Sequence, residues 1–280
     1  MAKKQVKVLV LRTAGTNCNE ETAYAFSASG ALVVQAHVNA LISGEVELKD
    51  FHILALSGGF SYGDDIASGR ILANELRLML GDELRYFIAA GKLIIGICNG
   101  FQILAKAGIL PGLGGEGQEA TLFHNDSAKF EARWTHLAVR ESNCVWTKDM
   151  PSLIYLPVAH GEGKFIPKDD SILDELKSNG QVVFGYCAPD GGKPVYPQNP
   201  NGSTEDIAGI CDTTGRVLGL MPHPERHFSF EQHPFWTRLA KSSEYGRTIA
   251  NTSGPVSRGL LGDGAQIFKN GVSYVKTHLL

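Results

Sequence analysis

Short β-branched apolar runs alternate with helix-spaced stretches through the first half of the chain, and that alternation leaves few folds open. The runs are nearly continuous in apolar residues, so both faces of each need covering. A parallel sheet with helices packed on either side meets that need. Val6–Leu11, Ala31–His37, Phe51–Ser57 and Lys92–Cys98 read as its strands. Helical spacing predicts helices over Asn19–Ser29, Ile71–Leu80, Glu83–Ala90 and Asn99–Ala107, the last stopped by Gly108.

The second half changes character. Glu119–His124, Lys129–Val139, Leu153–Val158 and Gln181–Cys187 read as strands of a more antiparallel kind. Ile207–Cys211 and Arg216–Met221 flank a turn, Asp212–Gly215, and predict a hairpin. A short helix is expected over Phe235–Ser242, and a loop or insertion rich in Gly, Ser, Thr and Asn over Tyr245–Gly264. The expectation is an α/β fold: a mostly parallel central sheet flanked by helices, with extra antiparallel strands. Residues 1–280 then form a single domain, with a peripheral insertion at about 228–262 and a closing C-terminal segment, 263–280.

Composition narrows the function. A chain of 280 residues that is 43% hydrophobic has material for a sizeable core and excludes long disorder. Twenty-six basic against 29 acidic residues give a net charge of −3, and no basic run exists to grip a phosphate backbone. Nucleic acid is therefore not an expected partner. No apolar stretch is long enough for a membrane span, and the first residues lack the apolar core of a secretory leader. The five widely spaced cysteines, without a CxxC pair, read as reduced thiols of a cytoplasmic protein.

The most informative segment is Lys92–Gln102, where a buried strand runs into Gly96-Ile97-Cys98-Asn99-Gly100 and then a helix. This is the thiol counterpart of the strand–turn–helix nucleophile elbow. So sharp a turn brings backbone against backbone, and a Cβ at either flank would collide. Cys98 then sits at a helix N-terminus, where the macrodipole and free N–H groups favour a thiolate. Cys18, Cys144, Cys187 and Cys211 lack that context and read as structural.

A thiolate nucleophile needs a base held by a third group. Met221-Pro222-His223-Pro224-Glu225-Arg226 follows an apolar strand, and His and Glu two apart on extended chain point the same way. The two prolines are expected to keep the segment out of a helix. His223 is then the base and Glu225 its orienter. His160, in Ala159-His160-Gly161-Glu162-Gly163, remains an alternative base, or part of a loop lining the site with Glu162. His223 and His227 lack a third ligand and a helix, so no metal site is expected. Ser57-Gly58-Gly59 follows a strand end, where its N–H groups, with that of Asn99, can hold a developing oxyanion. The Gly112–Gly117 match to a dinucleotide loop fails, because no strand precedes it and no helix follows.

Together SGGFSYGD (57–64), GICNGFQIL (96–104) and MPHPER (221–226) resemble the class I, or triad, glutamine amidotransferases. The resemblance is closest to their branch of glutaminase subunits of phosphoribosylformylglycinamidine synthase. Arg12–Asn17, Asn125–Ser127, Phe130–Arg133, Ala159–Gly163 and Asp263–Phe268 resemble further words of that branch. The resemblance implies a flavodoxin-like fold and glutamine as substrate. It implies a Cys98 thioester, an oxyanion held by N–H groups of Gly59 and Asn99, and a glutamine contact from Gln102. The 60–65 loop would help enclose the substrate. Ammonia would pass to a separate synthetase subunit that binds ATP and Mg, with a small third subunit in some complexes; this chain itself would bind no cofactor. The 228–262 segment is longer than the resemblance implies. Two rival readings are a stand-alone cysteine hydrolase of a related α/β class and a non-catalytic regulatory subunit. Asn99 directly after Cys98, where such hydrolases tend to place His, and the separate His223/Glu225 pair favour the amidotransferase arrangement.

Overall fold

A computed structural model describes residues 5–114, 117–240 and 260–280. The chain begins β1 (Lys7–Arg12), α1 (Asn19–Ala28), β2 (Leu32–His37) and α2 (Val38–Ile42). It continues through β3 (Ile53–Leu56), α3 (Arg70–Met79), α4 (Gly81–Ala89), β4 (Leu93–Ile97) and α5 (Asn99–Lys106). Then come β5 (Ala120–Phe123), β6 (Glu131–Val139), β7 (Leu153–His160), β8 (Lys164–Pro167), α6 (Asp170–Ser178) and β9 (Val182–Cys187). A hairpin of β10 (Ile207–Cys211) and β11 (Val217–Leu220) precedes α7 (Trp236–Leu239) and α8 (Ala265–His278).

Nine strands make one sheet in the order β2-β1-β3-β4-β11-β10-β9-β6-β7. From β2 to β11 every pairing is parallel, and from β11 to β7 every pairing is antiparallel. The hairpin thus does double duty: β10 pairs antiparallel with β11, and β11 extends the parallel half beside β4. Every residue of β3, β4, β9, β10 and β11 is buried, as a sheet covered on both faces requires. The closing segment docks through α8, whose Ile267, Phe268, Val272 and Val275 are buried. Phe268 meets Phe26 edge to face with centroids 5.0 Å apart.

Three elements went unanticipated. α6 fully buries only Leu176, with Ile172 and Leu173 packed part-buried against the core, and it opens on the Asp169 cap, whose Oδ1 accepts the Ile172 N–H at 3.0 Å. β8 pairs with β5 alone, four residues against four, and α2 is barely more than one turn. The expected helix over Phe235–Ser242 is shorter, Trp236–Leu239, and residues 241–242 lie outside the described residues. So does most of the expected 245–264 loop. Among the described residues no helix is long and apolar enough to cross a membrane.

Candidate active site

The parallel half has the 2-1-3-4 strand order of flavodoxin-like sheets, which bind ligands beyond the carboxyl ends of the strands where the order reverses. The loops leaving β1, β3, β4 and β11 meet there. Thr16 bridges to Gly59, joining the first two of them, and the Cys98 N–H donates to Leu220 O at 2.8 Å, joining the other two.

Cys98 stands between β4 and α5 with φ 52° and ψ −104°, a strained conformation for a residue with a Cβ. The flanking glycines make the elbow possible. A Cβ on Gly100 would lie 1.9 Å from Leu56 O, and one on Gly96 would lie 2.6 Å from Gly100 O. Both obstacles are backbone and cannot swing aside. Gly100→Ala is therefore expected to destabilise the protein by about 3 kcal/mol, or to open the elbow, read as a lower denaturant midpoint at unchanged slope.

His223 caps the turn Pro224–His227, a short 3₁₀ helix opened by Pro224. This corrects the extended geometry expected from sequence: the prolines do not exclude helix here, because proline suits a first helical position. The turn brings Glu225 Oε1 to 2.6 Å from His223 Nδ1, with both residues buried. Burial alone would lower the imidazole pKa. The negative charges of Glu225 and Cys98 outweigh it and hold the ring well above its ordinary 6.5. Nδ1 faces the carboxylate, and the other ring nitrogen, Nε2, is buried with no hydrogen-bond partner among the described residues. The Cys98 thiol contacts Ala159 O at 3.6 Å, at the end of β7.

Gly58 packs so closely that a Cβ there would meet His223 Cε1 at 2.7 Å. Its carbonyl accepts from the Asn17 and Cys18 N–H groups, so Gly58 shapes the loop. The N–H groups of Gly59 and Asn99 have no acceptor among the described residues. The Asn99 side chain is fully engaged: Oδ1 accepts from Ser61 N–H, and Nδ2 donates to Asp64 and to Gln102 Oε1. Gln102 Nε2 in turn donates to Glu162 O at 2.5 Å. Glu162 also sits 3.8 Å from the buried Lys106, whose pKa burial lowers against the opposing pull of Glu162. Gln102 and Lys106, both on α5, thus tie the 160–163 loop to the elbow.

His160 ends β7 where that loop begins, and is buried. Asn125 Nδ2 donates to His160 O and Lys129 O, so its Oδ1 is the acceptor for Gly163 N–H and for His160 Nδ1–H. Among the described residues no carboxylate orients this ring. Burial, with some help from the charge on His223, lowers its pKa from 6.5 to about 4, which keeps it neutral. A histidine depressed on folding costs stability as pH falls below its unfolded value of 6.5 and stops costing more below the folded value. Between those limits the loss is about 3 kcal/mol. His160→Gln should remove that slope between pH 6.5 and about 4, measured as denaturant midpoint against pH.

Sequence reasoning missed Cys18, which it read as structural. The thiol lies 4.0 Å from His223 Nδ1 and 3.0 Å from Arg226 Nη2, and Arg226 also pairs with Glu21 at 3.3 Å. Burial raises the Cys18 pKa against the pull of His223. His227, which sequence set beside His223, turns away: its Nδ1 bonds Tyr155 O at 2.8 Å. Glu131 of the 130–133 word pairs with Arg133 and bonds Ser127 and Tyr196. A cavity of about 680 Å³ lined by Arg140, Lys148 and Tyr274 holds none of the candidate residues.

Residues 5–275 match the family model of the CobB/CobQ-like glutamine amidotransferase domain. A phosphoribosylformylglycinamidine synthase subunit PurQ from Dehalococcoides mccartyi is 46% identical over 97% of this chain and 98% of its own length. One from Methanococcus maripaludis is 42% identical over 98% and 99%. Among solved structures, PurLQS from Thermotoga maritima aligns at TM-score 0.68 and 29% identity, covering 97% of this chain and 100% of its own. A glutamine amidotransferase from the same organism, at TM-score 0.50 and 17% identity over 99% of this chain and 100% of its own, shares the fold. The chain belongs to the CobB/CobQ-like glutamine amidotransferases, on the branch of the PurQ subunits.

Proposed function

We propose that this site hydrolyses glutamine to glutamate and ammonia, as the glutaminase subunit of a phosphoribosylformylglycinamidine synthase in purine biosynthesis. The buried 2.6 Å contact between His223 and Glu225, beside the Cys98 elbow, carries the reading. The Cys98 thiolate attacks the carboxamide carbon of glutamine, and the oxyanion falls to the N–H groups of Gly59 and Asn99. His223, kept protonated by Glu225 and Cys98, gives its proton to the departing ammonia. The same ring, now neutral, takes a proton from water as it attacks the γ-glutamyl thioester, and glutamate leaves. Gln102, engaged with Asn99 and Glu162, holds the substrate wall in place rather than standing free to bind, and the 60–65 loop encloses glutamine.

Ammonia passes to a synthetase subunit in the cytoplasm, where ATP and Mg activate the amide oxygen of formylglycinamide ribonucleotide. A small third subunit joins the complex. The PurLQS relative and the PurQ names support a multi-subunit setting. Glutamate release by the purified chain tests this, measured alone and then with the synthetase subunit, formylglycinamide ribonucleotide and ATP. Strong stimulation is expected only in the complete mixture. An equal rate in both, or comparable rates on unrelated amides, would mark an independent hydrolase.

A further inference from the structure

We propose that Cys18, His223 and Glu225 form an inhibitory binding site for a thiophilic divalent cation of the Zn²⁺ type. One donor atom from each of the three lies within 4.8 Å of the others, and all three residues are buried. The distances to His223 Nδ1 are 4.0 Å from Cys18 Sγ and 2.6 Å from a Glu225 oxygen. Tetrahedral zinc with bonds of about 2.0–2.3 Å spaces its donors about 3.3–3.8 Å apart. The His223–Glu225 pair, now 2.6 Å apart, must therefore open by about 0.7 Å, while Cys18 closes on the ring from 4.0 Å. The second carboxylate oxygen of Glu225 supplies an independent sign: it is buried without a hydrogen-bond partner among the described residues, on a side chain that is itself fully buried.

The competing cation is Arg226, whose Nη2 donates to Cys18 Sγ at 3.0 Å. Its guanidinium also bonds Glu21 at 3.3 Å, and its side chain is 37% exposed. Arg226 already holds Glu21 through Nε and Nη2, so the metal need displace only its contact to Cys18. Thiolate, imidazole and carboxylate are the mixed donor set that zinc takes, and a fourth position is left for water.

Binding forms metal–sulfur, metal–nitrogen and metal–oxygen bonds and releases two protons, one from the Cys18 thiol and one from His223 Nδ1. The imidazole is left neutral with its remaining proton on Nε2. In that state it has no lone pair to accept a proton, and the metal holds the tautomer. Inhibition in this form rests on the glutaminase reading above; binding of the metal does not.

The test uses the full chain under anaerobic conditions, with Zn²⁺ titrated against a chromogenic chelator. Cys18→Ser is expected to weaken Zn²⁺ binding by about tenfold or more, whereas Cys98→Ser keeps it within about twofold. Co²⁺ in place of Zn²⁺ should give a thiolate-to-metal charge-transfer absorption that Cys18→Ser abolishes and Cys98→Ser retains. The opposite pattern would place the metal on the nucleophile and overturn the proposal, as would the absence of stoichiometric binding. In the complex with its synthetase, the Zn²⁺ concentration that halves glutamate release should rise about tenfold in Cys18→Ser relative to that variant's own metal-free rate. If metal binds as described and the metal-free complete mixture with the synthetase subunit, formylglycinamide ribonucleotide and ATP releases no glutamate, the glutaminase reading falls while the site stands.

Discussion

With Cys98 replaced by alanine, the synthetase complex is expected to make its amidine from ammonium salts at the wild-type rate and to make almost none from glutamine. The glutamine-dependent rate should fall by at least about 10⁴-fold, because thioester formation has no substitute nucleophile. Cys18, the other thiol in the site, lies on the Nδ1 side of His223, where Glu225 sits, whereas the free Nε2 is left for Cys98. The substitution is gentle to the fold. Cys98 donates its backbone N–H to Leu220 O, and alanine keeps that bond while tolerating the same backbone strain about as well as cysteine does. Ammonia-dependent synthesis then reports that the complex is assembled, and glutamine-dependent synthesis reports the chemistry of this chain. Loss of both rates would mean that Cys98 holds the two subunits together, and the proposed division of labour would fail.

The parts of the site that sequence revealed are those built from neighbours along the chain. The elbow was legible because Gly96, Cys98 and Gly100 record a steric problem within five residues, and the structure shows the obstacles as Leu56 O and Gly100 O. The pairing of His223 with Glu225 was legible from their spacing, although the local geometry was not. Sequence suggested extended chain, whereas Pro224 starts a 3₁₀ turn that delivers the carboxylate to the ring. Cys18 was illegible because 205 residues separate it from the ring it faces, and only the closing of β1 beside β3 and β4 beside β11 brings them together. The same reason hid the tie between α5 and the 160–163 loop, which joins Gln102 to Glu162 across 60 residues. In the fold, strands buried on both faces announced themselves by continuous apolar runs. α6 did not, because its apolar stripe is only three residues, Ile172, Leu173 and Leu176, within a nine-residue helix, too short a pattern to stand out between two strands.

His223→Ala should slow γ-glutamyl-enzyme formation by about 10³- to 10⁶-fold, and Glu225→Gln by about 10⁴-fold, for different reasons. Alanine removes the proton carrier itself. Glutamine keeps the volume and leaves the ring in place, but its amide nitrogen can donate to Nδ1 and so select the tautomer with its proton on Nε2, which cannot accept one from a thiol or water. The charge matters as well. Glu225 raises the imidazole pKa against burial, so neutralising it lowers the pKa of His223. The proton donor to ammonia is then lost at a lower pH, and the alkaline limb of the residual pH–rate profile should move toward acid. Acid-quenched enzyme that retains label from radioactive glutamine measures the first effect, and kcat against pH measures the second. A wild-type rate of label incorporation in His223→Ala would move the base role to His160. That outcome is hard to reconcile with a ring that burial keeps neutral down to about pH 4 and that Asn125, an amide, orients in place of a carboxylate.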